Sequence, residues 1–160
     1  NIAIALARSG ERVVLVDCDL RRPALHKFFS LDNGTGISML AERSVERSGS
    51  GPVEVPLDML RAALLPTAVA NLRVLPAGPT HPNPPGLLKS PFFAALLRRL
   101  RDEADVVLVD VPPTNLAVDT MLVAPRVDGV VLLVSAGTMA TDPSVRSLLD
   151  LFLPGLAVAN

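Results

Sequence analysis

Two short hydrophobic runs that each end in an aspartate are the parts of this chain best suited to chemistry. Val13–Asp17 and Val106–Asp110 both read Val-Val-Leu-Val-Asp. A buried strand of a parallel sheet is a continuous run of such residues, and ligands of open α/β sheets bind beyond the carboxyl ends of the strands. The pattern therefore predicts that Asp17 and Asp110 lie at one ligand-binding edge of a sheet.

The residues that follow Asp17 strengthen this prediction. The segment 18–23, Cys-Asp-Leu-Arg-Arg-Pro, adds the carboxylate of Asp19 and the guanidinium groups of Arg21 and Arg22. Carboxylates hold magnesium beside phosphates, and arginines pair with phosphate oxygens, so this set suits a metal-bound polyphosphate. Simpler interpretations stay open: Asp17 can end a strand, Asp19 can cap the next helix, and the arginines can lie solvated at a helix entrance.

The composition describes one neutral domain. The chain has 160 residues, of which 49% are hydrophobic and 19% charged, with a formal net charge of -1. This charge argues against a broad basic face, and no nucleic-acid partner is expected. The single cysteine, Cys18, excludes an internal disulfide and a cysteine-rich zinc site, and it fits a reducing, cytoplasmic compartment.

Strand and helix patterns alternate and predict an α/β fold with a mostly parallel sheet and helices on both faces. The predicted strands are 13–17, 72–75, 105–110, 130–134 and 156–159. The predicted helices are 1–8, 23–29, 37–42, 57–65, one starting at Pro91, and 143–152. The segments 43–56 and 76–85 have loop composition and are predicted to be exposed loops.

Motifs in a fixed order support a resemblance to a known family. They are Asn-Ile-Ala-Ile-Ala-Leu-Ala at 1–7, Asp-x-Asp-Leu-Arg-Arg-Pro at 17–23, Leu-Pro-Ala-Gly-Pro at 75–79, Asp-Val-Pro-Pro at 110–113 and Val-Asp-Gly-Val at 127–130. Together they resemble the ATPase domain of bacterial tyrosine kinases and of capsular or exopolysaccharide regulators. This family is part of the deviant P-loop ATPases, which include septum-placement and plasmid-partition proteins, and it implies a three-layer, P-loop NTPase-like fold.

The resemblance implies ATP and Mg²⁺ as cofactors and gives roles to the acids. Asp17 and Asp19 resemble the family's second acidic motif, which arranges the magnesium shell and the attacking group and is catalytic. Asp110 resembles the Walker B acid, which holds magnesium through its water shell. Asp17 and Asp110 are thus the candidate metal residues.

The resemblance also implies three cofactor-binding residues. Arg21 and Arg22 are similar to family residues for nucleotide contact or for ring-type subunit packing. Asn160 stands where the superfamily has an asparagine that recognises adenine.

The chain departs from the family in its phosphate loop. The pattern Gly-x-x-x-x-Gly-Lys-Ser/Thr does not occur in the 160 residues, and in the family it lies a few residues before the position of Asn1. We therefore expect residues 1–160 to be a single partial nucleotide-binding domain, missing its first strand and phosphate loop and inactive alone. The residues also include no tyrosine, so a tyrosine-rich tail is not among them.

The main functional prediction is an ATP-dependent protein-tyrosine kinase, an autokinase that transfers the γ-phosphate of ATP to tyrosine and regulates capsular or exopolysaccharide synthesis and export. Its expected partner is a membrane-spanning polysaccharide chain-length or export protein, separate or fused. A homo-oligomer at the cytoplasmic side of the membrane is expected. Two alternatives stay open: a partition-type ATPase switch, and a non-catalytic regulatory or adaptor domain of polysaccharide export.

Overall fold

The structure is a computed structural model that describes residues 1–49, 51–112 and 118–131. The chain divides into two compact units, Asn1–Val111 and Pro112–Asn160. The predicted strand at 130–134 begins with two irregular residues and otherwise lies outside the described residues. The predicted helix 143–152, the predicted strand 156–159 and Asn160 lie outside them as well.

The first unit contains the sheet. Its elements are α1 Ile2–Arg8, β1 Val13–Asp17, α2 Leu25–Phe28, α3 Ile37–Ser48, α4 Leu57–Ala63, β2 Leu65–Pro66, β3 Leu72–Leu75, α5 Pro84–Lys89, α6 Pro91–Glu103 and β4 Val106–Asp110. The strands lie in the order β2-β3-β1-β4, with β1 parallel to both β3 and β4 and β2 antiparallel to β3. The predicted α/β fold with a mostly parallel sheet is confirmed.

Helices cover both faces of this sheet. Val13 of β1 and Leu72 of β3 are paired neighbours, and they pack against two alanines of α1. Successive strand residues point to opposite faces, and on the other face Arg73 donates a hydrogen bond of 2.7 Å to the backbone oxygen of Glu103, where α6 ends. The Glu103 carboxylate is 9% exposed and lies 2.8 Å from Arg61 of α4. This ion pair ties α4 to the end of α6.

The predicted exposed loop at 43–56 is wrong over its first part, because α3 continues to Ser48. The buried face of α3 starts at Ile37 and is continued at helical spacing by Ser44, which has no exposed surface. Because this buried position holds a polar residue, the hydrophobic repeat of the helix is interrupted in the sequence. The helix ends at Gly49, whose φ of 54° lies in the left-handed region that favours glycine.

The predicted exposed loop at 76–85 is wrong at both ends. Pro76, Ala77 and Gly78 are buried, and the last two residues of the segment already belong to α5. The side chain of Asn83 caps this helix by accepting a hydrogen bond of 3.0 Å from the N–H of Gly86. Two prolines follow the cap, at positions whose N–H groups need no helical partner. The predicted helix 23–29 is also shorter, spanning only Leu25–Phe28.

The second unit is described at residues 112 and 118–131. It holds α7, Asp119–Val123, followed by a 3-10 turn at Ala124–Arg126. The hydroxyl of Thr120 donates a hydrogen bond of 2.8 Å to the backbone oxygen of Pro112. In the described part of the chain, no helix is long and apolar enough to cross a membrane.

Arg12 and Asp105, which directly precede β1 and β4, form an ion pair. The guanidinium Nη2 of Arg12 lies 2.6 Å from Asp105 Oδ1, and the backbone N–H of Arg12 donates to Oδ2 at 2.9 Å. The side-chain hydrogen bond from Arg12 lowers the pKa of Asp105 most, and the backbone hydrogen bond from Arg12 lowers it further. The pKa falls from 3.8 to about 2. In return, the backbone oxygen of Arg12 accepts from the N–H of Asp105 at 2.9 Å.

We expect the protein to lose stability between about pH 4 and about pH 2 as Asp105 is protonated. A carboxyl group with a lowered folded-state pKa stabilises the fold above its ordinary pKa, and this contribution disappears as the pH falls through the folded-state pKa. Asp105→Asn should flatten this part of the pH dependence of the unfolding free energy, measured by urea denaturation. Asp102→Asn, which changes an exposed acid of α6, is the control. An unchanged pH dependence in Asp105→Asn would contradict this prediction.

Candidate active site

The two strand-terminal aspartates lie side by side. Asp17 at the end of β1 is in register with Asp110 at the end of β4. The N–H of Cys18 donates a hydrogen bond of 2.8 Å to the backbone oxygen of Asp110, which continues the pairing by one residue. As the repeated sequence pattern predicts, both carboxylates reach the carboxyl edge of the sheet together.

The carboxylate of Asp17 is buried and organises the following loop. It has no exposed surface. Its Oδ1 accepts from the N–H of Asp19 at 3.2 Å, and its Oδ2 accepts from the N–H groups of Ala24 at 3.2 Å and Leu25 at 3.1 Å. Asp17 therefore does more than end a strand: it holds the segment 19–25 against the sheet and supports the first turn of α2.

Asp19 shapes the turn between these contacts. Its Oδ1 accepts from the N–H groups of Arg21 at 3.2 Å and Arg22 at 2.9 Å. The helix α2 begins only at Leu25, and there the carboxylate of Asp17 accepts its N–H. The simpler interpretation of Asp19 as a helix cap is thus wrong, because Asp19 caps a turn that precedes the helix.

Negative charge accumulates at this edge. Burial raises the pKa of Asp17 most; the N–H groups of Leu25 and Asp19 lower it, and the charge of Asp110 raises it. The Asp110 side chain is exposed, yet partial desolvation by nearby protein atoms raises its pKa, and the charge of Asp19 raises it further. A divalent cation at this edge would offset the repulsion between the carboxylates.

The chemistry of these donors fits magnesium. Magnesium takes oxygen ligands, keeps several waters, and is often bound by one or two carboxylates together with phosphates. Among the described residues, no group of three or more His, Cys, Asp or Glu could hold a metal. Asp110 is exposed, whereas Asp17 has no exposed surface.

The remaining residues of interest differ in their exposure and in whether the structure describes them. The side chains of Arg21 and Arg22 are exposed, and their backbones are fixed by Asp19 beside the acidic edge. Asn160, the candidate adenine residue, lies outside the described residues. Cys18 is fully buried, and burial, followed by the charges of Asp17 and Asp110, raises the pKa of its thiol. A thiolate is disfavoured there, so Cys18 acts as a small core residue.

The sequence pattern missed a clamp next to these acids. Because β1 and β3 are parallel and Val16 pairs with Leu75, the segment 76–78 leaves the sheet at the same edge as Asp17. Asn33 exchanges two hydrogen bonds with the backbone of Gly78, of 2.8 and 3.0 Å. The motif at 75–79 indicated that the segment 76–78 is important. Nothing in the sequence showed which other segment the residues 76–78 contact.

The first two residues of α3 complete this clamp. The N–H groups of Ile37 and Ser38 donate to the backbone oxygens of Pro76 and Ala77, both at 3.0 Å. This backbone pairing brings Gly36 against the segment 76–78. The segments 33–38 and 76–78 thus support each other at the acidic edge.

Known relatives of this chain are named as tyrosine-protein kinases. No protein-family model matches the chain. The CapB protein of Staphylococcus aureus is 35% identical over 136 residues, which cover 85% of this chain and 54% of CapB. Tyrosine-protein kinase YwqD of Bacillus subtilis is 30% identical over 149 residues, which cover 92% of this chain and 56% of YwqD. The chain therefore spans about half the length of these relatives.

Solved structures agree with these relatives. The kinase domain of VpsO is 30% identical and superimposes with a TM-score of 0.74, covering 92% of this chain and 66% of that domain. The cell-division ATPase MinD of Pyrococcus furiosus is 26% identical, with a TM-score of 0.52 and coverage of 76% and 45%. Taken with the paired aspartates on a parallel sheet, these matches show that the chain belongs to the family of bacterial tyrosine-protein kinase domains, within the P-loop ATPase class.

Proposed function

We propose that the protein carrying this chain is a magnesium-dependent tyrosine kinase that transfers the γ-phosphate of ATP to tyrosine, in the control of capsular or exopolysaccharide synthesis and export. The observation that carries this proposal is the register of Asp17 with Asp110 at the carboxyl edge of a parallel sheet. The names of YwqD and VpsO, a tyrosine-protein kinase and a kinase domain, support it. Because the chain spans only part of these proteins, the activity belongs to the whole protein.

We assign the three acids different roles because their side chains differ in exposure. Asp110, exposed at the end of β4, would hold magnesium through its water shell. A bound magnesium ion would supply positive charge that offsets the charge of the phosphates, and phosphoryl transfer depends mainly on positioning and charge. Asp17, which has no exposed surface, would position the metal shell indirectly through the segment 19–25. We assign the half-buried Asp19 to the orientation of the attacking hydroxyl group.

The remaining parts of the proposal rest on the family. Arg21 and Arg22, both exposed beside the acids, would contact nucleotide phosphates or a neighbouring subunit in a homo-oligomer. Asn160 would recognise adenine. The proposed location is the cytoplasmic side of a membrane, reached through a membrane-spanning polysaccharide chain-length or export protein.

Asp110→Asn should reduce phosphotransfer roughly a hundredfold or more, because removing one group that stabilises transition-state charge has effects of this size. The measurement is the rate of phosphotyrosine formation from labelled ATP and Mg²⁺ in the natural protein that carries this chain. Asp105→Asn, which changes the acid just before β4, is the matched control and should stay within a fewfold of the unchanged protein. Full activity in Asp110→Asn would refute the proposed role.

The match to MinD supports a second candidate, a partition-type ATPase switch. The same assay separates the two functions. A kinase forms phosphotyrosine, whereas a switch releases inorganic phosphate from ATP without forming it. If the natural protein neither binds nor cleaves ATP, the non-catalytic adaptor is the remaining function.

A further inference from the structure

Asn33 is followed by the residue that makes an asparagine side chain most labile. Among the asparagines of the 160 residues, it alone precedes a glycine. The backbone nitrogen after an asparagine can attack the side-chain amide carbon, and glycine hinders this attack least because it has no side chain and an adaptable backbone. Asparagine is for this reason among the thermolabile residues of proteins. The kinase activity proposed above gives the pair Asn33-Gly34 no role.

The fold restrains both reacting groups. The half-buried Asn33 side chain donates to the backbone oxygen of Gly78 at 2.8 Å and accepts from its N–H at 3.0 Å. The attacking nitrogen, that of Gly34, donates its hydrogen to Asp32 Oδ2 at 2.8 Å. The attacked carbon becomes tetrahedral, so the planar amide that pairs with Gly78 is lost before a ring can close. Cyclisation of Asn33 therefore competes with the clamp formed by the segments 33–38 and 76–78.

We propose that Asn33 is a deamidation site that the clamp protects, and that its conversion to an acid opens the clamp irreversibly. In the first step, a bond forms between the Gly34 nitrogen and Asn33 Cγ, and the bond from Cγ to Nδ2 breaks. The nitrogen Nδ2 leaves as ammonia and takes the proton of the Gly34 N–H. Water then opens the succinimide ring and leaves aspartate or isoaspartate at position 33.

Neither product can rebuild the clamp. The backbone of Gly78 presents one donor and one acceptor to position 33, so the partner side chain must supply one of each. An ionised aspartate only accepts, and it would place a charged oxygen against the backbone oxygen of Gly78. Isoaspartate adds a carbon to the backbone shortly before α3. Because the segment 76–78 leaves the sheet at the same edge as Asp17, the conversion would also loosen the acidic edge.

The first test measures the deamidation rate at position 33 by mass spectrometry, in the natural protein that carries this chain, at mildly alkaline pH. Unfolding in urea should speed the reaction at least about tenfold, because the amide then has no clamp. In the folded protein, Ser38→Ala should speed it as well, since it removes the bond of 3.1 Å from Ser38 Oγ to the backbone oxygen of Ala77. Gly34→Ala is the matched control: its Cβ hinders the attack and should slow the reaction at least about tenfold in both states.

The second test measures the consequence of the conversion. Asn33→Asp reproduces one product and should raise the equilibrium constant for unfolding about tenfold or more, measured by urea denaturation. Asp32→Asn changes the charge of the exposed neighbour and should leave this constant within a fewfold. Equal deamidation rates in the folded and unfolded protein would overturn the protection by the clamp, and no deamidation in urea would overturn the site itself. An Asn33→Asp protein as stable as the unchanged one would show that the conversion does not open the clamp.

Discussion

Asp17→Asn should retain the fold and lose phosphotransfer, whereas Asp17→Ala should lose both activity and stability. The carboxylate accepts hydrogen bonds from three backbone N–H groups, those of Asp19, Ala24 and Leu25. Asparagine keeps one oxygen, which can still accept from Ala24 and Leu25. Alanine leaves all of these donors without an acceptor, and each such loss costs about 1 to 3 kcal/mol.

The two readouts separate the structural role of Asp17 from its catalytic role. We expect the unfolding free energy of Asp17→Asn to stay close to that of the unchanged protein, and that of Asp17→Ala to be lower by about 3 kcal/mol or more. Phosphotyrosine formation should fall roughly a hundredfold or more in both variants, since both lack the charge of the carboxylate and at least one of its hydrogen bonds to the segment 19–25. Urea denaturation and the labelled-ATP assay measure these quantities on the same preparations.

Each result has an outcome that contradicts it. If Asp17→Ala is as stable as the unchanged protein, the hydrogen bonds to the segment 19–25 do not hold the fold together. If Asp17→Asn transfers phosphate at the full rate, the charge of Asp17 has no part in the reaction. The second result would leave Asp17 as a purely structural residue and Asp110 as the principal acid.

Gly36→Ala should be strongly destabilising, by at least about 3 kcal/mol. A Cβ atom at position 36 would lie 2.3 Å from the backbone oxygen of Pro76 and 2.4 Å from the backbone nitrogen of Gly78. These are backbone atoms that are fixed by the hydrogen bonds of Ile37, Ser38 and Asn33. They cannot move aside as the end of a side chain can, so the segment 76–78 must leave its place.

The neighbouring Gly34 offers a matched control. A Cβ atom there would approach only the side chain of Asp32, at 2.9 Å, and this exposed side chain can rotate away. Thermal and urea unfolding of Gly34→Ala should therefore differ little from the unchanged protein. Because 76–78 follows β3 at the acidic edge, Gly36→Ala should also reduce magnesium-dependent ATP binding. A stable Gly36→Ala protein would show that the two segments can separate without loss.

Local patterns were enough to predict the elements whose burial follows from their own sequence. The helix α6 has Phe92, Phe93, Leu96 and Leu100 at helical spacing, and all of them are buried. The predicted strands at 13–17 and 72–75 match β1 and β3. In such segments the side chains that form the core also form the visible pattern, so propensity and packing agree.

The errors occurred where distant residues decide the outcome. Ser44 is polar, yet it is buried in α3, so the helix extends through a segment with loop composition. The segment 76–78 is rich in Pro and Gly, yet it is buried because Asn33 and the start of α3 supply its hydrogen-bond partners. A single sequence does not contain the identity of these partners, since they lie more than 35 residues away along the chain.

The sequence by itself determined that two Val-Val-Leu-Val-Asp strands would bring aspartates to one edge of a parallel sheet, because continuous hydrophobic runs are buried and parallel strands end on the same side. Only the tertiary structure decided that the two acids differ. In the described sheet, β1 lies between β3 and β4. Asp17 is buried and bound by backbone N–H groups of the segment 19–25, whereas Asp110 is exposed. Identical segments acquired different environments because burial depends on neighbours that are remote in sequence.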